Sequence, residues 1–176
     1  FGSDTLFKSG HEPVSHSRLP KNGTYYIDGY QSNEGSSDAW TGILETDSFV
    51  IGAGCQFSLL VGGGNFAWSG DPDSPVGGIA GVALEREVSP GNWENIFWAS
   101  GGDNNLTLRN WDASAYAGQT ARLRIYDTHT GGWGWNATDN INATAIVAGG
   151  GGGGGGGGIN ILPTNTALTV AGGATL

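Results

Sequence analysis

The chain has 176 residues, enough for one domain with a real core and too few for two of ordinary size. Glycine supplies 34 of them, about 19% against a usual ~7%, and methionine is absent, so a helical bundle is excluded. Sixteen carboxylates against seven Lys and Arg leave a net charge of −9, which argues against nucleic acid as a partner, and no apolar run reaches the roughly 18 residues of a membrane span.

The chain starts at Phe1, which reads as a mature or excised segment. His11 and His16 flank a stretch with Pro13 between them. A zinc helix needs two His four apart on one face, so the five-residue spacing and the proline argue against that motif. From residue 24 the pattern becomes one of short apolar runs broken by Gly, Asn, Asp and Ser, with seven Trp. Runs at 24–28, 41–44, 48–51, 56–61, 79–87, 93–99, 105–109, 120–126 and 141–147 each have the length of a strand. About nine strands with turn residues between them predict an all-β, antiparallel, jelly-roll-like β-sandwich. The lone Cys55, in an apolar context, reads as a buried strand thiol.

Alternation is clearest where Ala121, Leu123 and Ile125 share one face while Arg122, Arg124 and Tyr126 share the other. Val82 and Leu84 alternate with Ala83 and Glu85 in the same way, and residues 88–93 read as a hairpin turn into the run ending at Trp98. The expected interior is Phe49, Phe57, Leu59, Val61, Val82, Leu84, Leu123, Ile125 and Ile141. Arg122, on the wet face, should cost only roughly half a kcal/mol when cut to Ala.

The glycine clusters 52–54 and 62–64 match no nucleotide-binding loop and read as close approaches or bulges. No Gly-x-Ser-x-Gly elbow occurs, and no enzymatic activity is expected. No cofactor is expected beyond a Ca²⁺ ion, for which Asp71, Asp73 and Asp103 are weak candidates, with surface turns as the commoner role for such residues. The segment 127–139 is richer. Asp127, His129, Trp133, Trp135 and Asp139 fall there between two strands, and exposed tryptophans beside carboxylates suit a sugar, whose C–H face stacks while its hydroxyls hydrogen-bond. Trp135 in particular is expected to be exposed; Trp133 fits a plug at the sandwich end equally well.

The string Asn110-Trp111-Asp112, Gly118-Gln119-Thr120-Ala121-Arg122, Tyr126-Asp127, Gly132-Trp133-Gly134 and Asp139-Asn140-Ile141 resembles the C-terminal signature of the β-sandwich carbohydrate-binding module attached to levanases and exo-inulinases. Residues 42–51 and 57–64 resemble earlier strands of that family, so the likeness runs over about 22–147. It implies non-catalytic binding of a fructan or another extracellular glycan, with Asp127, Trp133 and Asp139 at the signature positions and Arg86 as a polar wall. Trp135 stands where the family commonly has His, which leaves the sugar open.

After residue 148 the character changes. Ten glycines (149–158) read as a linker, and 159–176 as a C-terminal β segment that resembles one rung of autotransporter passenger repeats. One rung buries no core by itself and must dock. The domain plan is therefore 1–148, 149–158 and 159–176. A secreted or surface-displayed sugar-binding module is the leading expectation. The alternative is a structural subunit of an adhesin or extracellular filament, adding its tail strand head-to-tail to the next copy.

Overall fold

The computed structural model describes residues 26–32, 35–36, 38, 41–72 and 77–148, with the backbone of four short strands elsewhere. In chain order the strands are β1 (Lys8–Ser9), β2 (Ile27–Asp28), β3 (Gln31–Ser32), β4 (Gly35–Ser36), β5 (Gly42–Glu45), β6 (Phe49–Ile51), β7 (Gln56–Gly63), β8 (Ala80–Ser89), β9 (Asn92–Ala99), β10 (Thr107–Asp112), β11 (Thr120–Asp127), β12 (Asn136–Ala143), β13 (Ile146–Ala148), β14 (Ile159–Asn160), β15 (Thr169–Val170) and β16 (Ala174–Thr175). One short 3₁₀ turn, Ser114–Tyr116, precedes β11.

These build a β-sandwich. The first sheet runs β1-β2-β12-β7-β10, with β14 also on β12; the second runs β13-β6-β11-β8-β9, with β5 also on β11. All pairings are antiparallel, and β3-β4 and β15-β16 form small hairpins. Between the sheets, Phe57, Leu59, Val61, Trp111 and Ile141 of the first meet Phe49, Val82, Leu84, Leu123 and Ile125 of the second. All nine expected core residues are buried there, because a period of two on each strand sends alternate side chains to the same side. Cys55 is buried too, and burial first, then Asp112, pushes its thiol up and away from reactivity.

The predicted run 141–147 is in fact a corner between sheets. Strand β12 ends at Ala143, Thr144 and Ala145 turn, with Ala145 at φ +52°, and β13 joins the opposite sheet. The Ala145 carbonyl accepts from Gly52 N (2.7 Å), which fixes the crossing. A second correction concerns 136–140. This stretch was expected in a loop, yet it is strand: Asn136 to Asp139 pair with Gly63 to Leu60, and only a shift of register around Asn140 (φ +50°) interrupts the ladder.

The glycine block 149–158 lies outside the described residues. Beyond it, β14 pairs with Asn142 and Ala143 of β12, so that part of the tail is received by this chain's own sheet.

Candidate functional site

The outer face of the second sheet carries the chemistry. Alternation on β11 sends Arg122, Arg124 and Tyr126 outward, and register places Arg122 opposite Glu85 of β8 and Arg124 opposite Glu45 of β5. Opposite charges on facing residues then close into one network. Arg122 donates from Nε to Glu85 Oε2 (2.8 Å) and from Nη1 to Glu45 Oε2 (3.2 Å). The same Glu45 oxygen lies 3.2 Å from Arg124 Nε, while Arg124 Nη1 donates to Tyr126 Oη (2.7 Å) and Tyr126 Oη donates to Glu85 Oε1 (2.5 Å). Glu85 and Tyr126 are buried, and both arginines are largely covered. Arg122 is therefore not the solvated residue that its alternation suggests: the face is the outer one, but neighbouring side chains cover it.

The first of two bulges makes that cover. On the β8–β9 hairpin the register shifts between Leu84 and Glu85 and again between Glu87 and Ser89. One extra residue exchanges the faces of everything beyond it, so Trp93 and Asn95 turn over the outer face of the sheet instead of into the interior. Trp93 lies against Arg122, whose guanidinium carbon stands 4.2 Å from the ring centroid. From the other side comes Trp68, edge-on to Trp98 (5.2 Å) and to Tyr126 (5.8 Å). Trp98 can lie flat here because Gly81 has no Cβ: one built there would meet the Trp98 ring at 2.6 Å. The result is an open groove of about 590 Å³, with Trp68 and Trp93 as partly exposed walls and Glu85, Arg122, Arg124 and Tyr126 as its floor.

Arg86 is not brought to the other sequence-predicted residues. Arg86 pairs with Ala121 whereas Asp127 pairs with Ala80, so six positions, roughly 20 Å of strand, separate them. Arg86 is occupied by Glu94 (2.6 Å) and Gln119 (3.0 Å). Trp135, expected to be exposed, is 4% exposed and packs with Tyr26, Leu60, Leu106 and Ala137. Asp139 is buried in β12 and accepts from Asn140 N (2.7 Å). His129 packs against Phe66, the rings tilted at 48° with centroids 4.6 Å apart. Only Trp133 presents its ring to solvent, 51% exposed, lying nearly parallel to Trp135 at 6.1 Å; it has φ +66° and donates its backbone N–H to Asp38 Oδ2 (3.1 Å).

Asp127 is the unusual member of that set. Alternation continues one step past Ile125 and points it inward, where it is fully buried; neither of its oxygens meets a hydrogen-bond donor among the described residues. Burial, then the charge of Asp28, raises its carboxyl well above the usual range; the nearby Asn136 backbone N–H, not placed to form a hydrogen bond, opposes this, and Asp38 adds to it. The weak Ca²⁺ candidates do not converge. Asp71 and Asp103 are exposed turn residues, Asp103 accepting from Asn105 N (2.7 Å), and Asp73 lies outside the described residues. Among the described residues no three His, Cys, Asp or Glu side chains are arranged to hold a metal ion, and no helix is long and apolar enough to cross a membrane.

Sequence reasoning missed Trp68, Trp93, Glu45 and Glu85 as site residues. Its alternation on 120–126 already put both arginines and Tyr126 on one face; it carried no sign of the bulges that fold Trp93 over them. Compared with the models of known protein families and with curated protein sequences, the chain matches none of them.

Proposed function

We propose that this chain is a non-catalytic carbohydrate-binding module of a secreted or surface-displayed protein, and that the sugar lies in the groove between Trp68 and Trp93. The observation that supports this most is the pairing of aromatic walls with a fixed polar floor. Indole rings take the C–H face of a sugar, and guanidinium, amide and carboxylate groups exchange hydrogen bonds with its hydroxyls. The floor is held by its own bonds, so little side-chain freedom is lost on binding. The test is calorimetric titration with a panel of fructans, plant glycans and bacterial glycans. Trp93→Ala should weaken whatever binds by about tenfold or more, on the order of 1–3 kcal/mol, without release of reducing sugar. A folded wild type that takes no glycan in the panel, or a Trp93→Ala variant that binds as well as it does, defeats the reading.

The alternative, a filament subunit that lends its tail strand to the next copy, depends on a tail without a partner at home. Pairing of 159–160 with 142–143 gives it one in the same chain, which favours the module.

A further inference from the structure

The electrostatics of the groove carry the reading above one step further, to the class of glycan. Both floor arginines are cations that would ordinarily draw a carboxylate or sulfate ligand. Here their charge is already met. A single oxygen, Glu45 Oε2, reaches Arg122 Nη1 and Arg124 Nε, each at 3.2 Å, and Glu85 holds Arg122 Nε at 2.8 Å. Among the described residues, two carboxylates offset the two floor cations, and Glu94 on the lining is matched by Arg86 at 2.6 Å. Around this floor the chain as a whole carries −9. Glu45 itself sits on β5, beside the arginines and outside the groove lining, where it contacts both of them.

The geometry points to Glu45 as a specificity-determining residue that neutralises both floor arginines, so that the groove takes uncharged glycan chains and turns away uronate-bearing ones. This rests on the groove being a sugar site. Glu45 acts through the arginines: removing its charge leaves Glu85 beside Arg122 and shifts the floor by one unit toward the cationic side. A groove that rejects one ligand class through matched internal charge is specificity by exclusion.

The experiment compares wild type, Glu45→Gln, Glu45→Asp and Trp93→Ala, with thermal melts to establish folding. The probes are inulin and mixed-linkage β-glucan as neutral chains and polygalacturonate as the acidic one. Wild type should prefer a neutral probe over polygalacturonate by at least about tenfold, with an affinity that changes less than about twofold between roughly 50 and 500 mM NaCl. Glu45→Gln should raise the ratio of polygalacturonate to neutral affinity about tenfold at the lower salt and lose that gain at the higher; Glu45→Asp should return the ratio toward wild type. A wild type that binds polygalacturonate as tightly as the neutral probes overturns the inference without any variant. An unchanged ratio in Glu45→Gln also overturns it, while the sugar-binding reading stands if Trp93→Ala still weakens neutral binding. Neutral probes bound equally by wild type and Trp93→Ala remove both.

Discussion

Glu85 and Asp127 sit on neighbouring strands of one sheet, and both are nearly inaccessible to water, at 3% and 0% exposure. Around Glu85, each oxygen has a donor: Arg122 on one, Tyr126 on the other. Around Asp127 neither oxygen has one among the described residues, and the neighbouring charges are those of Asp28 and Asp38. The same side-chain chemistry is thus a fixed part of the groove floor in one region and a source of instability in the other. A buried carboxylate is tolerated according to what faces it, and burial alone does not mark a binding site.

Removing the partner should show the contrast most strongly. Glu85→Ala removes an acceptor from Arg122 Nε and from the Tyr126 hydroxyl in a covered site, although Glu45 still holds Arg122 and Arg124 still donates to Tyr126 Oη, so the loss is expected near 3 kcal/mol in urea denaturation. Glu94→Ala, which breaks an ion pair whose carboxylate side chain is 54% exposed, should cost under about 1 kcal/mol. Equal losses would mean that the floor is ordinary surface, and the case for a preorganised groove would go with it.

The same two residues mark what could be read from the sequence. Val82-Ala83-Leu84-Glu85 and Ala121 to Tyr126 alternate cleanly, so the sandwich, its core and the face bearing both arginines were legible from a period of two. Trp93 was not, because its direction depends on a bulge that sequence alternation does not announce; one slipped residue moves it from the interior side to the groove. Asp127 and Trp135 were placed in an open loop because polar and aromatic residues cluster there. Backbone pairing of Asn136–Asp139 with β7 overrode that composition and buried most of the segment. Continuing the alternation from Ile125 by one step would have turned Asp127 inward.

Neutralising the unmatched carboxylate is expected to act in the opposite direction from Glu85→Ala. The folded state raises the Asp127 pKa, so the folded chain holds a proton there that the unfolded chain gives up above about pH 4. The contribution of this group to stability is therefore full below that pH and is lost as pH rises through the folded-state value. Asp127→Asn removes the penalty and should stabilise by about 1–2 kcal/mol at neutral pH, with the gain fading toward pH 4. Melts at pH 4 and pH 7 check this; a variant less stable than wild type at pH 7 would show that Asp127 is held by an attractive partner, and the contrast with Glu85 would collapse.

Trp133 offers the smallest effect and the finest test of the same region. Its φ of +66° lies where a side chain costs roughly 1 kcal/mol, and the neighbouring Gly134 has no room for a Cβ, which would strike the His129 carbonyl, so the turn cannot relax locally. Trp133→Ala loses the parallel contact with Trp135 and keeps the strain; Trp133→Gly loses both. The glycine variant should then be the more stable of the two by about 0.5–1 kcal/mol, less the entropy glycine adds to the unfolded chain. Because Trp133 is no part of the groove lining, neither variant should change affinity for a neutral glycan by more than about twofold. If Trp133→Ala instead weakened glycan binding as much as Trp93→Ala, the sugar would have to lie at the 127–139 end of the sandwich, and the exposed, strained indole rather than the groove would be its platform.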